Sequence, residues 1–531
     1  MTSSLRTVLS VVALSALVNL ASAAALTSDE SAAIRRLLAA TPHPEAAVDW
    51  ENYAFAASRA PRDSYAYTKD MLEFTTGVSF IGNLPHKESK DLKSTAVAMG
   101  LCGIADATIG MTNALDKLAE AGVKKARVFA FWNWWEKERG VYDFALLDEI
   151  VRLCRERAVE PWLSLGGTPK CYLAEPIPKG TDFARQAPCY HPGAEDAYLK
   201  AVDTLVRRYL GKVRHYELCN ECDAHFRNGK EDAWALYGAD KAARDMVTHY
   251  AKVAAAIRKA EPAAMISISF CKMSSALVPR LGAYGFGDVI DWYAIHSYER
   301  CPEFMMEEAI RMAQSVLRKK DGTPVRVIMG ESGRAADRSG RFSTHTEYGQ
   351  AKFTARHLFN DVYNGCEIVS FFEGCARNYS YFNPRTQAPR LGYYVLQGLA
   401  WLFEDLKPAP QYAVRFNTLG PQEFTPLLPY VRSIRTAFDR KGVPVIALWL
   451  PEHLDINQQR RDGRLEIVTD GLREHLLPNP VIIDPIRRKV WDASGLVYRN
   501  PMGDDEFRAF PLMDYPLVVT DLAVFREFLG R

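Results

Sequence analysis

From about residue 74 to residue 403, short runs of β-branched and aromatic residues alternate with longer amphipathic runs, and the alternation repeats eight times. Parallel strands cannot be joined by a tight turn, so each strand-like run followed by a helix-like run reads as one βα unit. Strands are predicted over 74–81, 126–132, 160–166, 213–220, 265–270, 289–298, 325–330 and 367–372. Helices are predicted over 113–121, 144–158, 195–210, 241–261, 303–319, 347–364 and 391–403. The run "PGAEDAYLKAVDTLVRRYLG" shows the signals well: acids in the first turn, bases in the last, and Gly211 as the stop. Eight such units close into a (β/α)8 barrel, the TIM-barrel fold, whose active site lies at the C-terminal ends of its strands. A doubly wound sheet would need a Gly-rich phosphate turn after its first strand, and none is present.

Past Pro408 the pattern changes to β runs divided by Gly, Pro and Asp, among them "YAVRF", "VRSIRTAFD", "PVIALWLP", "RLEIVTD", "NPVIIDP" and "PLVVTD". These predict an antiparallel β-sandwich. The expected organisation is a signal peptide over 1–23, an N-terminal segment over 24–73 that packs on the sandwich, a catalytic barrel over 74–406 and the sandwich over 407–531. The signal reading rests on Arg6, the apolar run from Val8 to Leu20 and the small-x-small site Ala21-Ser22-Ala23, and it implies a secreted or periplasmic protein. No later segment has the ~18 uninterrupted apolar residues of a membrane span.

Charge excludes one class of partner. With 66 Lys and Arg against 64 Asp and Glu, the chain has no field that would attract nucleic acid. The ten cysteines fall between Cys102 and Cys375, where an exported chain permits disulfides; Cys171 and Cys189 could staple a Pro-rich loop, and Cys154 sits on the apolar stripe of a helix as a buried thiol. Cys219-x-x-Cys222 lacks the second Cys/His pair of a zinc finger, so no metal is expected.

In a barrel, polar residues just past the strands are the candidates for chemistry. Glu221 follows the fourth strand in "HYELCNECD", and Glu331 follows the seventh in "VRVIMGESG". Two carboxyls aimed into one cleft suit glycosidic-bond cleavage, one protonating the leaving oxygen and the other attacking the anomeric carbon, with no cofactor. Their environments must differ so that one stays protonated and the other ionised. Strict alternation would set Asn220 and Glu221 on opposite faces, so the chain must bend or bulge there if both face a sugar.

These motifs resemble clan A of the glycoside hydrolases, retaining (β/α)8 enzymes with an Asn-Glu pair at the end of strand four and a Glu at the end of strand seven. The resemblance implies Glu221 as acid/base, Asn220 as the residue that binds the sugar 2-hydroxyl, and Glu331 as nucleophile. The stretch "WWEKERGVYDFALLDEIVRLCRERAVEPWLSLG" is similar to the clan's second-strand region. "DWYAIHSYE" is similar to the sixth strand, which implies His296 and Tyr298 in the cleft, with Tyr298 hydrogen-bonded to the nucleophile. The appended sandwich resembles families 39, 30 and 51. The eighth strand departs from the clan, ending "SFFEG" where the clan often has Trp.

Other residues carry two readings each. Trp132, Trp134 and Trp135 offer a sugar platform or the packed mouth of the barrel. Arg127, inside the second strand, needs a buried carboxylate partner such as Glu331 or an anionic ligand. Glu299 and Glu373 are alternative acids, Glu373 being the substitute nucleophile. Arg334, Arg338 and Arg341 follow Glu331, with Lys170, Lys272 and Arg300 after other strands; together they suit a uronate or sulfated glycan, or are a solvated loop. The function expected is a retaining O-glycosidase acting on a carbohydrate. A non-catalytic carbohydrate-binding protein on a degenerate barrel and a transglycosylase are the rivals.

Overall fold

The computed structural model describes residues 26–44, 65–66, 70–271, 276–299, 301–336, 343–344, 346–376, 378–418, 434–451, 457–458, 460–468, 476–499 and 505–530. The proposed signal peptide, Lys272, Arg300, Arg338 and Arg341 lie outside the described residues. By its internal contacts the chain forms two compact units: Lys87–Ser343 with Asn364–Pro389, and Met1–His86 with Thr344–Tyr363 and Arg390–Arg531.

The first unit is a closed barrel of eight parallel strands: β1 Val97–Gly100, β2 Lys125–Phe129, β3 Glu160–Ser164, β4 His215–Glu217, β5 Met265–Phe270, β6 Trp292–His296, β7 Arg326–Ser332 and β8 Cys366–Phe371. Every residue of β1, β4 and β6 is buried, as expected of strands covered on both faces. Ala98, Trp162, Trp292, Ala294, Ile328 and Ile368 form one packed cluster within the barrel. His215 stacks on Trp162 with ring centroids 4.1 Å apart and hydrogen-bonds Ser267 Oγ at 2.8 Å. The helix Ala194–Arg208 keeps the predicted charge polarity, with Glu195 and Asp196 in its first turn and Arg207 and Arg208 in its last.

The first predicted strand is corrected. The run 74–81 does not enter the barrel; Ser79–Asn83 pairs antiparallel with Lys489–Asp492 at the edge of a sheet in the other unit, with Phe80 exposed. Barrel strand β1 comes from "STAVAMG" within what the sequence suggested was a long first loop, 82–112. The reason is burial. A barrel strand cannot leave Ser79 and Phe80 in water, whereas Val97 to Gly100 are all buried.

The second unit contains the predicted sandwich sheets. A seven-stranded sheet runs Leu406–Pro408, Ile434–Arg440, Val443–Trp449, Leu517–Asp521, Pro480–Asp484, Lys489–Asp492, Ser79–Asn83, and a four-stranded sheet runs Ala413–Thr418, Arg460–Val468, Asp505–Met513, Val497–Arg499. All these pairings are antiparallel. Helix Ser28–Ala40 starts with a Thr27/Glu30 capping box, buries Ile34 and Leu38, and is tied to Asp492 by Arg35. The helices Glu347–Tyr363 and Leu391–Leu399 group with this unit, where buried Lys352 pairs with buried Asp514 at 2.8 Å. No disulfide is formed among the described cysteines, so Cys171 and Cys189 do not staple their loop. No helix among the described residues is long and apolar enough to cross a membrane.

Candidate active site

Strand β4 ends at Glu217, and the chain must then turn through Leu218 to Glu221 before the short helix Cys222–His225. The turn is made at Glu221, whose φ of 46° and ψ of 58° put a non-glycine residue in the left-handed region. Its amide donates to Ser269 Oγ at 2.9 Å, which holds that conformation from strand β5. This is the bend that a cleft-facing Asn220 and Glu221 require.

Strand β7 has its own irregularity. Ile295 pairs with Met329 but His296 pairs with Glu331, so Gly330 is an extra residue in the register. A Cβ on Gly330 would stand 2.8 Å from Ala294 Cβ and 3.0 Å from His296 Nε2, so the bulge brings Glu331 and the imidazole close only because residue 330 has no side chain.

The bend and the bulge bring three groups together: a Glu221 oxygen, a His296 nitrogen and a Glu331 oxygen lie within 4.8 Å of one another. Among the described residues this is the one Asp, Glu, His or Cys group with the spacing to hold a cation. His296 Nδ1 stands 3.3 Å from Glu221 Oε1 and 3.7 Å from Glu331 Oε2, and its side chain is wholly buried. The two carboxyls differ in surroundings. Glu331 is 8% exposed and accepts from Arg127 at 2.9 Å and from the Tyr298 hydroxyl. Glu221 is 23% exposed and faces two imidazoles, those of His296 and His225.

Burial alone would push the Glu221 carboxyl up, but the hydrogen bond and charge of His296, helped by His225 and Arg127, outweigh it and hold the carboxyl at about 2. Glu221 is therefore ionised near pH 7, so serving as an acid requires proton uptake, which further desolvation by a bound sugar favours. Burial, with Arg185 nearby, lowers His225 to about 3, so that ring is neutral near pH 7. Its Nδ1 lies 3.4 Å from Asn220 Nδ2, which fits an acceptor role for that nitrogen. Burial and the Glu331 charge raise Tyr298 well above the ordinary phenol value, keeping it a donor.

Arg127 connects these parts. It is fully buried and donates Nε and Nη2 to the two oxygens of Glu217 at 2.7 Å each, Nη1 to Glu331, and Nη2 also to Asn220 Oδ1. Burial opposes its charge, but the Glu217 ion pair overcomes that, and Arg127 stays cationic. Glu217 accepts in addition from Ser269 Oγ at 2.7 Å, so the hydroxyl that positions Glu221 also fixes the carboxylate that holds Arg127. Glu217, Ser269 and His225 were not singled out from sequence. The signal for Glu217 was present, since a charged residue inside β4 opposite an arginine inside β2 is a natural pair.

The remaining predicted residues lie as follows. Trp134 is 43% exposed and meets Phe131 edge to face at 5.0 Å, which leaves indole surface open to solvent. Trp132 and Trp135 are buried by packing instead: Trp132 stacks on Tyr172 and donates to Glu136, and Trp135 packs on Phe144 and donates to the Ala130 carbonyl. Arg334 is buried and donates to the backbone carbonyl of Tyr298, bracing that tyrosine. Glu373 is fully buried and accepts from the amides of Gly103 at 2.9 Å and Cys375 at 3.3 Å, an anchor between the ends of β1 and β8. Glu299 has its amide on Ser297 Oγ. Lys170 lies in a single 3-10 turn after β3.

No family profile matches the chain by sequence, and no curated protein does. By structure the chain is similar to a family 39 glycoside hydrolase from the gut symbiont Bacteroides cellulosilyticus, with a TM-score of 0.56, 14% identity and 80% of each chain covered. It is also similar to a GH30 endoxylanase from Clostridium papyrosolvens, with a TM-score of 0.50 and 10% identity over 84% of this chain and 99% of that one. These likenesses show a shared fold, the parallel barrel with appended antiparallel sheets.

Proposed function

We propose that the protein is a retaining glycoside hydrolase that cleaves O-glycosidic bonds of a poly- or oligosaccharide, with Glu331 as nucleophile and Glu221 as acid/base. The observation that carries the reading is the separation of the two carboxyls, with oxygens within 4.8 Å of each other. Double displacement uses carboxyls ~5–5.5 Å apart, while an inverting enzyme leaves ~6.5–9.5 Å for a water. The fold neighbours, named as glycoside hydrolases, support the same class.

In the first step a Glu331 oxygen forms a bond to the anomeric carbon as the bond from that carbon to the leaving oxygen breaks, and the proton of Glu221 passes to the leaving oxygen. In the second, Glu221 takes a proton from water, the water oxygen bonds to the anomeric carbon, and Glu331 is released. Arg127 and Tyr298 orient Glu331 for attack, and His296 lies in hydrogen-bond contact with the acid. The Asn220 amide, its oxygen held by Arg127, presents its nitrogen to a sugar hydroxyl. The exposed face of Trp134 serves as a stacking surface. Export by the first 23 residues places the substrate outside the cytoplasm.

A panel of mechanism-based fluoro-sugars tests the assignment. Mass spectrometry should find the label on Glu331, and the sugar that labels fastest identifies the glycone. Glu221→Ala should keep turnover only of substrates with good leaving groups and regain rate with azide. Wild-type rates in both Glu221→Ala and Glu331→Ala would refute the reading. Comparing turnover of neutral and uronate-bearing substrates decides whether the glycan is anionic.

A further inference from the structure

The helix Cys222–His225 is a single turn, and the His225 amide donates to the Glu221 carbonyl at 2.8 Å. Residues four apart on such a turn share a face, which sets the His225 ring beside the Glu221 carboxyl. The ring is buried, with Nε2 3.7 Å from Glu221 Oε2 and Nδ1 3.4 Å from Asn220 Nδ2.

Donor and acceptor counting fixes which ring nitrogen carries the hydrogen. Arg127 has donors only, so the Asn220 atom that meets its Nη2 must be the amide oxygen, and the amide nitrogen must face His225. That nitrogen is also a donor only, so His225 Nδ1 accepts from it. A neutral imidazole with an accepting Nδ1 carries its hydrogen on Nε2. Among the described residues this Nε2 has no hydrogen-bond partner, which costs free energy in a buried site. The acceptor it faces is Glu221 Oε2, about 0.7 Å beyond an ordinary N–H···O length. His296 stands on the other oxygen, with Nδ1 3.3 Å from Oε1.

We propose that His225 is a positioning residue for the acid: with Nδ1 held by the Asn220 amide, its Nε2–H closes onto Glu221 Oε2 and leaves Oε1 as the oxygen that passes the proton. A protonated carboxyl keeps one oxygen free to accept, and an ionised one keeps both, so His225 donates to Oε2 through both steps of a double displacement. The same ring serves the sugar-binding amide. Asn220 Nδ2 has two hydrogens, and the one taken by His225 aims the other at the sugar hydroxyl. Arg127 thus fixes that amide from its oxygen end and His225 from its nitrogen end.

The role in proton transfer rests on Glu221 being the acid; the place of the hydrogen on His225 does not. Nitrogen NMR of the full chain labelled with 15N-histidine reads that place without any substrate. The signals missing from a His225→Leu variant belong to His225, and at pH 7 they should show a bare Nδ1 and a hydrogen-bearing Nε2. On a substrate with a poor leaving group, kcat/KM of His225→Leu should fall by about 10- to 100-fold, with kcat/KM for a good leaving group little changed. The penalty for removing the 2-hydroxyl from the substrate should be smaller in the variant than in the wild type. Should His225→Leu fail to fold, His225→Asn takes its place; it keeps an acceptor for Asn220, reaches no further than Nδ1, and should show the same selective loss on poor leaving groups. A hydrogen on Nδ1, an imidazolium at pH 7, wild-type rates, equal losses on both leaving groups, or an unchanged 2-hydroxyl penalty in His225→Leu overturns the proposal. A hydrogen on Nε2 in a protein inactive on every glycan would instead refute the glycosidase reading and leave the contacts of His225 with Asn220 and Glu221 standing.

Discussion

Replacing His296 by leucine isolates the interaction that sets the state of the acid. In the native site the His296 hydrogen bond and charge outweigh burial and hold Glu221 at about 2, against an ordinary 4.5. A depressed carboxyl contributes stability that is fully present above the unfolded value and lost as pH falls through the folded one. The full difference of 2.5 units corresponds to about 3 kcal/mol, of which about 2 kcal/mol is lost by pH 3. In His296→Leu the carboxyl keeps its burial and loses its main partner, so its pKa rises and this contribution disappears. Urea denaturation of both proteins between pH 6 and pH 3 reads the effect. The wild type should lose about 2 kcal/mol more than the variant on acidification, and the gap should vanish when both carry Glu221→Gln. Parallel stability curves for wild type and His296→Leu would refute the claim that His296 holds Glu221. The glycosidase reading adds a kinetic counterpart: without His296 the pH dependence of kcat/KM should change for poor leaving groups and stay nearly unchanged for good ones.

Arg127→Met strands the buried Glu217 and removes a donor from Glu331, so it should destabilise the barrel by about 3–5 kcal/mol in denaturant titration. Tyr298→Phe removes one charge-assisted hydrogen bond worth roughly 1.5–3 kcal/mol, so denaturant titration should show a loss of that order and kcat should fall by about 10- to 100-fold. Gly330→Ala puts a methyl group against Ala294 and His296; a cost of about 1–3 kcal/mol in stability and a loss of activity larger than that of a surface Gly→Ala control are expected.

The repeat of strand and helix patterns was enough to specify a barrel, because a parallel strand advertises itself locally through an apolar run that must be covered on both faces. The sandwich runs beyond Pro408 were legible for a similar local reason, and so were the positions of Glu221 and Glu331 at the ends of strands four and seven. The error at the first strand arose where two apolar runs, 74–81 and 97–100, competed and only pairing partners distinguish them. Trp132, Trp134 and Trp135 look alike in sequence, yet one is exposed and two are buried, because a one-turn helix points them in different directions.

What the chain alone determined, then, is the architecture and the residue types at the strand ends. Tertiary structure decided how those residues act together. Arg127 takes Glu217 and Asn220 from β4 and Glu331 from β7; His296 touches both carboxyls only because Gly330 is left over in the register; Ser269 from β5 holds the backbone of Glu221. Burial periodicity is a property of neighbours along the chain. Register, bulges and the side-chain contacts of a cleft depend on strands that meet only after the barrel closes.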